Sequence, residues 1–281
     1  MNATNDWYDV SQLADGSYMV VEGDEYGLFL VEGDERSVAI DAGIGVGDLH
    51  TLATDLVEPP ITLVLTHTHW DHIGAGAQFD EVLVGPAELP ADGEVAVDSL
   101  THEFIKRPAQ FTTRWEANGN RFPDDVSPEE YTIEPFEASA VSFEEGIDLG
   151  DRTLELYPLP GHSPGHLGVL DPETRILYGG DIVHFDRGLY VMFDDSDLEE
   201  YVESVGRVRK LLEEDTYDVL ATSHNEPLSG EELSILETLH EGLREIQAGE
   251  REYELVDSDW GTVRSYQIGS SEVQTKHDSS R

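Results

Sequence analysis

Apolar residues along the first third of the chain come in short runs that alternate with turn-forming residues. Tyr18 to Val21, Gly27 to Glu32 and Ser37 to Asp41 each read as a strand, and Gly33-Asp34 between the last two marks a hairpin turn. Gly43, Gly45 and Gly47 then punctuate a loop, and Leu49, Leu52, Ala53 and Leu56 fall on one face of a helix. Ile61 to Leu65 is an unbroken apolar run of strand length, the pattern of a strand buried on both faces. Glu81 to Val84 reads as the next strand.

From residue 86 to 145 the strand signals thin out, and Phe104, Phe111, Trp115, Phe122 and Tyr131 mix with charges. This stretch predicts helices near 96–106 and 108–117, and reads either as a cap inserted beside a pocket or as plain scaffold with aromatic core residues. Strands resume at Thr153 to Tyr157, Leu167 to Leu170, Ile176 to Tyr178 and Tyr217 to Ala221. Leu198, Val202, Val205, Val208, Leu211 and Leu212 follow helical spacing over 197–213, and a further helix is expected over 231–246. Strands and helices alternate in both halves, so the expected class is α/β. The reading is one domain over 1–268, followed by a flexible Ser-rich tail over 269–281.

Charge changes the picture next. The chain carries 60 Asp plus Glu against 16 Lys plus Arg, a formal net charge of −44, and its three lysines are Lys106, Lys210 and Lys276. The acids are spread along the chain rather than gathered in a block, which describes a solvated acidic surface. Self-repulsion of that size destabilises the compact state unless salt screens it, so the composition fits a cytoplasm of very high salt. No basic cluster is present to hold phosphates, which argues against nucleic acid as substrate or partner. No apolar run is long enough to span a bilayer and Met1 to Val10 lacks a secretory pattern, so the expectation is a cytoplasmic protein acting on a small molecule. There are no cysteines, so any metal must sit on His, Asp or Glu and no thiol serves as nucleophile.

The chemistry concentrates in Thr66-His67-Thr68-His69-Trp70-Asp71-His72. Residues two apart on an extended segment face the same way, so His67 and His69 can reach one metal together. Asp71 and His72 follow where Gly74 and Gly76 let the chain turn, and can serve a second metal nearby. A single His at a strand end is usually a satisfied core residue; three His and an Asp after a buried strand are not. Two metals roughly 3.5–4 Å apart can hold a bridging hydroxide that is activated at neutral pH. Each metal needs three or four ligands, more than this cluster supplies, so others must come from elsewhere.

His-x-His-x-Asp-His after an apolar strand resembles the signature of the metallo-β-lactamase fold superfamily, and the remaining marks follow in order. They are Asp41 in Ile40-Asp41-Ala42-Gly43, His162 in Gly161-His162-Ser163-Pro164-Gly165-His166, Asp181 in Gly179-Gly180-Asp181, and His224 after Val219-Leu220-Ala221-Thr222-Ser223. The resemblance covers roughly residues 15–245 and implies an αββα four-layer sandwich with a helical insertion. It implies one metal on His67, His69 and His162, a second on Asp71, His72 and His224, Asp181 bridging both, and Asp41 supporting the ligands from behind. Zinc is the commonest metal of such proteins, with iron or manganese as alternatives.

The expected reaction is attack of the bridging hydroxide on an ester, thioester or lactone carbonyl, with Asp71 doubling as ligand and proton shuttle. The Gly161–His166 run resembles glyoxalase II-like and lactonase-like members. Lactonase-like members place a Tyr three residues after the bridging Asp; this chain has His184 there, which weakens a lactonase reading. His184 contacts substrate or packs locally on this reading, His166 supports the ligands or is structural, and Tyr190 and Trp70 line the pocket or join the core. Asn225 stands where a Gly usually follows the final His. Two other classes stay open: a mononuclear iron enzyme of sulfur oxidation, similar to persulfide dioxygenases, and a metal-binding protein without catalysis.

Overall fold

A computed structural model describes residues 7–277 apart from 24, 102–103, 105, 119, 124–125, 185–187 and 259. The chain divides into two compact units, Met1–Leu154 and Glu155–Arg281. No helix among the described residues is long and apolar enough to cross a membrane.

The first unit is organised by a seven-stranded sheet with the order Tyr8–Ala14, Ser17–Glu22, Tyr26–Val31, Ser37–Ile40, Ile61–Val64, Val82–Val84 and Ser139–Ala140. The first four strands pair antiparallel; from Ser37–Ile40 onward the pairing is parallel, with Ile40 opposite Val64 and Leu63 opposite Val82. Parallel neighbours need a crossover, and helix Leu49–Leu56 supplies it between Ser37–Ile40 and Ile61–Val64. Asp48 caps that helix by accepting from Thr51 N at 2.9 Å, which satisfies one of its unpaired first-turn donors. Ser37–Ile40 and Ile61–Val64 are buried at every position, as a continuous apolar run predicts. Their carboxyl ends deliver Asp41 and the Thr66–His72 segment.

Of the two helices expected between 86 and 145, the second forms as Arg107–Ala117; over 96–106 the described residues hold a 3-10 turn at Val97–Ser99, and 102–103 and 105 lie outside the described residues. Pro108 is compatible with the first turn of the later helix, where no N–H is needed. Phe111 anchors Arg107–Ala117 in an aromatic cluster, with ring centroids 5.4 Å from Trp115, 5.6 Å from Trp70 and 5.8 Å from Tyr131.

In the second unit, the Glu155–Pro158 part of strand Thr153–Pro158, Leu167–Asp171 and Ile176–Tyr178 pair antiparallel in sequence, and Ile176–Tyr178 then pairs parallel with Val219–Ala221. Helix Leu198–Glu213 lies between these parallel strands in sequence, capped by Asp197, which accepts from Glu200 N at 3.0 Å. Helix Ile235–Ala248 ends at Gly249 in the left-handed conformation that favours glycine (φ 73°). Both helices bury their apolar faces in a core that includes Leu159, Leu177, Val205, Val208, Leu220, Leu236 and Leu243.

One expectation fails here. Residues beyond 268 are not simply a frayed tail: Ser271–Lys276 is a strand, antiparallel to Gly261–Ile268 and parallel to Gly188–Val191. Ser271 and Val273 are fully buried and Thr275 is buried beside them, so three small or apolar alternate positions outweigh the polar composition. Residues 278–281 lie outside the described residues.

Candidate metal centre

Donor side chains gather at the carboxyl ends of the parallel strands in each unit. In the first unit the chain leaves Ile61–Val64 at Leu65 and stays irregular through His69, then turns, with His72 N donating to His69 O at 3.0 Å. The turn brings the imidazole of His67 within 4.4 Å of that of His69 and 4.0 Å of that of His72, centroid to centroid. All three are buried, and Asp71 is partly exposed at the head of the turn.

Asp41 holds this arrangement from behind. It has a left-handed backbone (φ 63°), tolerated by Asp better than by most residues, which turns its carboxylate back over the strand ends. That carboxylate accepts from Thr66 N at 2.7 Å, from Thr66 Oγ1 at about the same range, and from His72 Nδ1 at 2.9 Å. The Thr66 hydroxyl spends its one proton on Asp41, so it accepts from His67 Nδ1 at 3.1 Å. In both rings Nδ1 therefore carries the proton, and Nε2 presents a lone pair.

Two further features of this half were not legible. Glu22 is fully buried and receives the indole N–H of Trp7 at 2.9 Å together with the backbone N–H groups of Ile44, Gly45, Val46 and Gly47. It fastens the glycine loop that follows Asp41. Burial pushes its carboxyl up, and the donors around it pull the other way. Among 60 acidic residues nothing in the sequence marked this one as buried. The second feature is the approach of Gly74 to Ile44–Gly45: a Cβ on Gly74 would lie 2.0 Å from the carbonyl carbon of Ile44. Gly74 N donates to Gly43 O and Ala42 N to His72 O, both at 2.8 Å, so the two loops are stitched backbone to backbone. The aromatic segment also closes on the motif, with the Phe104 ring 4.2 Å from that of His69. Trp70 belongs to the aromatic cluster rather than standing apart from it, 6.1 Å from the ring of Tyr26.

In the second unit, Asp181 sits in the turn after Ile176–Tyr178 and His224 in the turn after Val219–Ala221. His162 follows Thr153–Pro158 through Gly161, whose φ of 124° and 2.2 Å approach to Tyr201 N admit no side chain. Three imidazoles converge on one carboxylate: His162 Nε2 lies 3.4 Å and His184 Nε2 3.3 Å from Asp181 Oδ2, and His224 Nε2 lies 3.5 Å from Oδ1. His162 donates from Nδ1 to Tyr190 O at 2.9 Å, so its Nε2 also presents a lone pair. Burial pushes the pKa of His162 down to about 3, against the pull of Asp181, which keeps the ring neutral and able to ligate.

His166 Nε2 accepts from Asp181 N at 3.0 Å and fixes the turn that carries the carboxylate. Tyr190 contributes its backbone carbonyl to His162, while its ring packs 5.1 Å from Trp260. Asn225 ties the His224 turn down by donating to Val183 O and Thr222 Oγ1, both at 3.0 Å. A glycine there would lose both bonds.

The donor set fits divalent metal ions. Imidazole nitrogens with a lone pair, set by partners on the opposite ring nitrogen, and carboxylates buried beside them are the chemistry of borderline cations such as zinc or iron. Such donors, at the carboxyl ends of parallel strands in an α/β fold, describe a candidate metal-binding site.

Comparison with known proteins gives the family. The model of the metallo-beta-lactamase superfamily matches residues 28–224, and the chain belongs to that superfamily. Acyl-coenzyme A thioesterase MBLAC2 of Gallus gallus is 29% identical over 81% of this chain and 84% of its own length. Hydroxyacylglutathione hydrolase GloC of Haemophilus influenzae is 27% identical over 63% of this chain and 75% of its own length. Among solved structures, a metallo-beta-lactamase from Pontibacter korlensis superposes with a TM-score of 0.55 at 20% identity, covering 85% of this chain and 99% of that one. A superfamily protein from Sulfolobus tokodaii does so with a TM-score of 0.54 at 23% identity, covering 84% and 86%. The α/β fold expected from the sequence is thus the metallo-β-lactamase fold, and the chain is a hydrolase of that superfamily.

Proposed function

We propose that the protein is a two-metal thioester hydrolase. His67, His69 and His162 would hold one metal and Asp71, His72 and His224 the other, and Asp181 would serve both. The convergence of imidazole nitrogens on the Asp181 carboxylate carries this reading, because a shared anion among neutral ligands is what a pair of cations requires. Zinc is the metal we assign. The thioester is supported by the relatives named above, a thioesterase and a hydroxyacylglutathione hydrolase.

Bound metals would supply Lewis acidity toward the carbonyl oxygen and a lowered pKa for water. The chain supplies the rest. Asp41 and Thr66 hold the His67 and His72 rings so that Nε2 is the ligating atom. His166 and Asn225 fix the turns of Asp181 and His224. Asp71 is partly exposed at the head of its turn, and the role we give it is to take the proton from water and pass it to the leaving thiolate. Phe104 beside His69 gives the site an apolar wall that suits an acyl chain. The net charge of −44 supports a cytoplasm of high salt as the setting, and a small molecule rather than nucleic acid as the partner.

The test is thiol release from acyl-coenzyme A and acylglutathione substrates by the zinc-loaded protein in molar KCl, beside matched oxygen esters and lactones. The chain has no cysteine, so every thiol detected comes from substrate. Thiol release that chelator abolishes and zinc restores is the expected result. Turnover of esters or lactones without thioesters refutes the substrate class, and oxygen uptake by an iron-loaded form without hydrolysis refutes the reaction.

A further inference from the structure

His184 is the one imidazole of the second cluster to which the proposed metal set gives no task. It is 2% exposed, three residues beyond Asp181, and faces inward. Its Nδ1 lies 3.2 Å from Gly188 O, a carbonyl that can only accept, so Nδ1 carries a proton. Among the described residues Nε2 makes no hydrogen bond, and it lies 3.3 Å from Asp181 Oδ2. Its ring stands edge-on to that of His224, centroids 4.9 Å apart. One ligand atom from each of Asp181, His184 and His224 falls within 4.8 Å of the other two, the spacing of donors around a single cation.

A lone pair on Nε2 within 3.3 Å of a carboxylate oxygen in a dry site is repulsive unless a positive charge lies beside them. Asp181 Oδ2 already faces His162 Nε2 in the same way, so two nitrogens crowd one anionic oxygen. The positive charge is either a second proton on the ring or a metal ion. From this geometry we infer that His184 is an additional metal ligand, binding through Nε2 the ion that Asp181 and His224 also hold. That ion then has one more nitrogen donor, a richer coordination than four protein and water ligands.

The inference rests on the two-metal reading, and the experiment separates the two. The full chain is loaded with Co2+ in molar KCl, and the hyperfine-shifted, solvent-exchangeable proton resonances are counted. Each imidazole bound through Nε2 contributes its Nδ1–H. His184→Gln is expected to lose one such line relative to the parent, while His166→Gln, whose ring accepts from Asp181 N instead, is expected to keep that line. His184→Cys guards against misfolding of the Gln variant. It places the only thiol in the chain at this position, and a thiolate-to-cobalt charge-transfer band in the near ultraviolet is expected. An unchanged line count in His184→Gln together with no band in His184→Cys makes His184 a hydrogen-bond partner of Asp181 and overturns the inference alone. Absence of any shifted line in the parent overturns the metal reading and this inference with it.

Discussion

Replacing Asp41 by Asn tests the idea that the metal ligands are aimed from behind. The substitution keeps shape, and Asn tolerates the left-handed backbone at this position about as well as Asp, so backbone strain contributes little to the difference. What changes is the sign of one hydrogen-bonding arm. The carboxylate faces three donors: Thr66 N–H, Thr66 O–H and His72 Nδ1–H. An amide oxygen can keep Thr66 N–H. The amide nitrogen then faces His72 Nδ1, two donors head to head. Either the bond is lost, or His72 moves its proton to Nε2 and stops being a ligand. A hydrogen bond to a charged group is worth about 1.5–3 kcal/mol. At 1.4 kcal/mol per factor of ten, that is roughly a 10- to 150-fold loss in affinity for the metal we assign to His72. Outer partners of metal-bound histidines typically cost 10- to 100-fold when removed, so the two routes agree. The assay is competition for Zn2+ with a chelator of known affinity, read for parent and Asp41→Asn at the same KCl concentration. A change of less than about two-fold, with an unchanged melting temperature, would refute the proposed role of Asp41.

Three further outcomes are expected. Gly74→Ala places a methyl 2.0 Å from the backbone of Ile44, where no side chain can yield; overpacking of this kind costs about 1–3 kcal/mol or more, measurable by urea unfolding, with zinc affinity falling as the loops separate. His162 titrates near 3 in the folded metal-free protein and near its ordinary 6.5 when unfolded. The unfolded state therefore binds more protons between those values, and the stability is fully present above pH 6.5 and lost as pH falls, by at most about 1.4 kcal/mol per pH unit; His162→Gln should flatten that slope in urea melts from pH 7 to pH 4. The charge of −44 predicts a melting temperature that climbs steeply from low salt to molar KCl, and equal stability at low salt would contradict the high-salt setting.

The elements that bear the site were legible because each rests on local pattern. Ser37–Ile40 and Ile61–Val64 are apolar runs bounded by Asp and Thr, and helix Leu198–Glu213 shows its buried stripe in sequence. The candidate donors stood out because His67, His69, Asp71 and His72 lie within six residues, and the later marks follow in a recognisable order. The strands at Gly188–Val191 and Ser271–Lys276 were not, since each gains its burial from a partner distant in the chain.

Residue identity alone determined that this chain carries metal-ligand chemistry without cysteine, on an α/β scaffold, behind a strongly acidic surface. Tertiary structure decided which polar residues do the aiming. Glu22 is one acid among 60 until a loop wraps its backbone N–H groups around it, and His166 and His184 read alike in sequence. Folding turns the His166 nitrogen to a backbone N–H and the His184 nitrogen to a carboxylate. Hydrophobic pattern is written along the chain, where neighbours in sequence share it. The direction of a hydrogen bond belongs to pairs of residues far apart in sequence, and only the fold brings those pairs together.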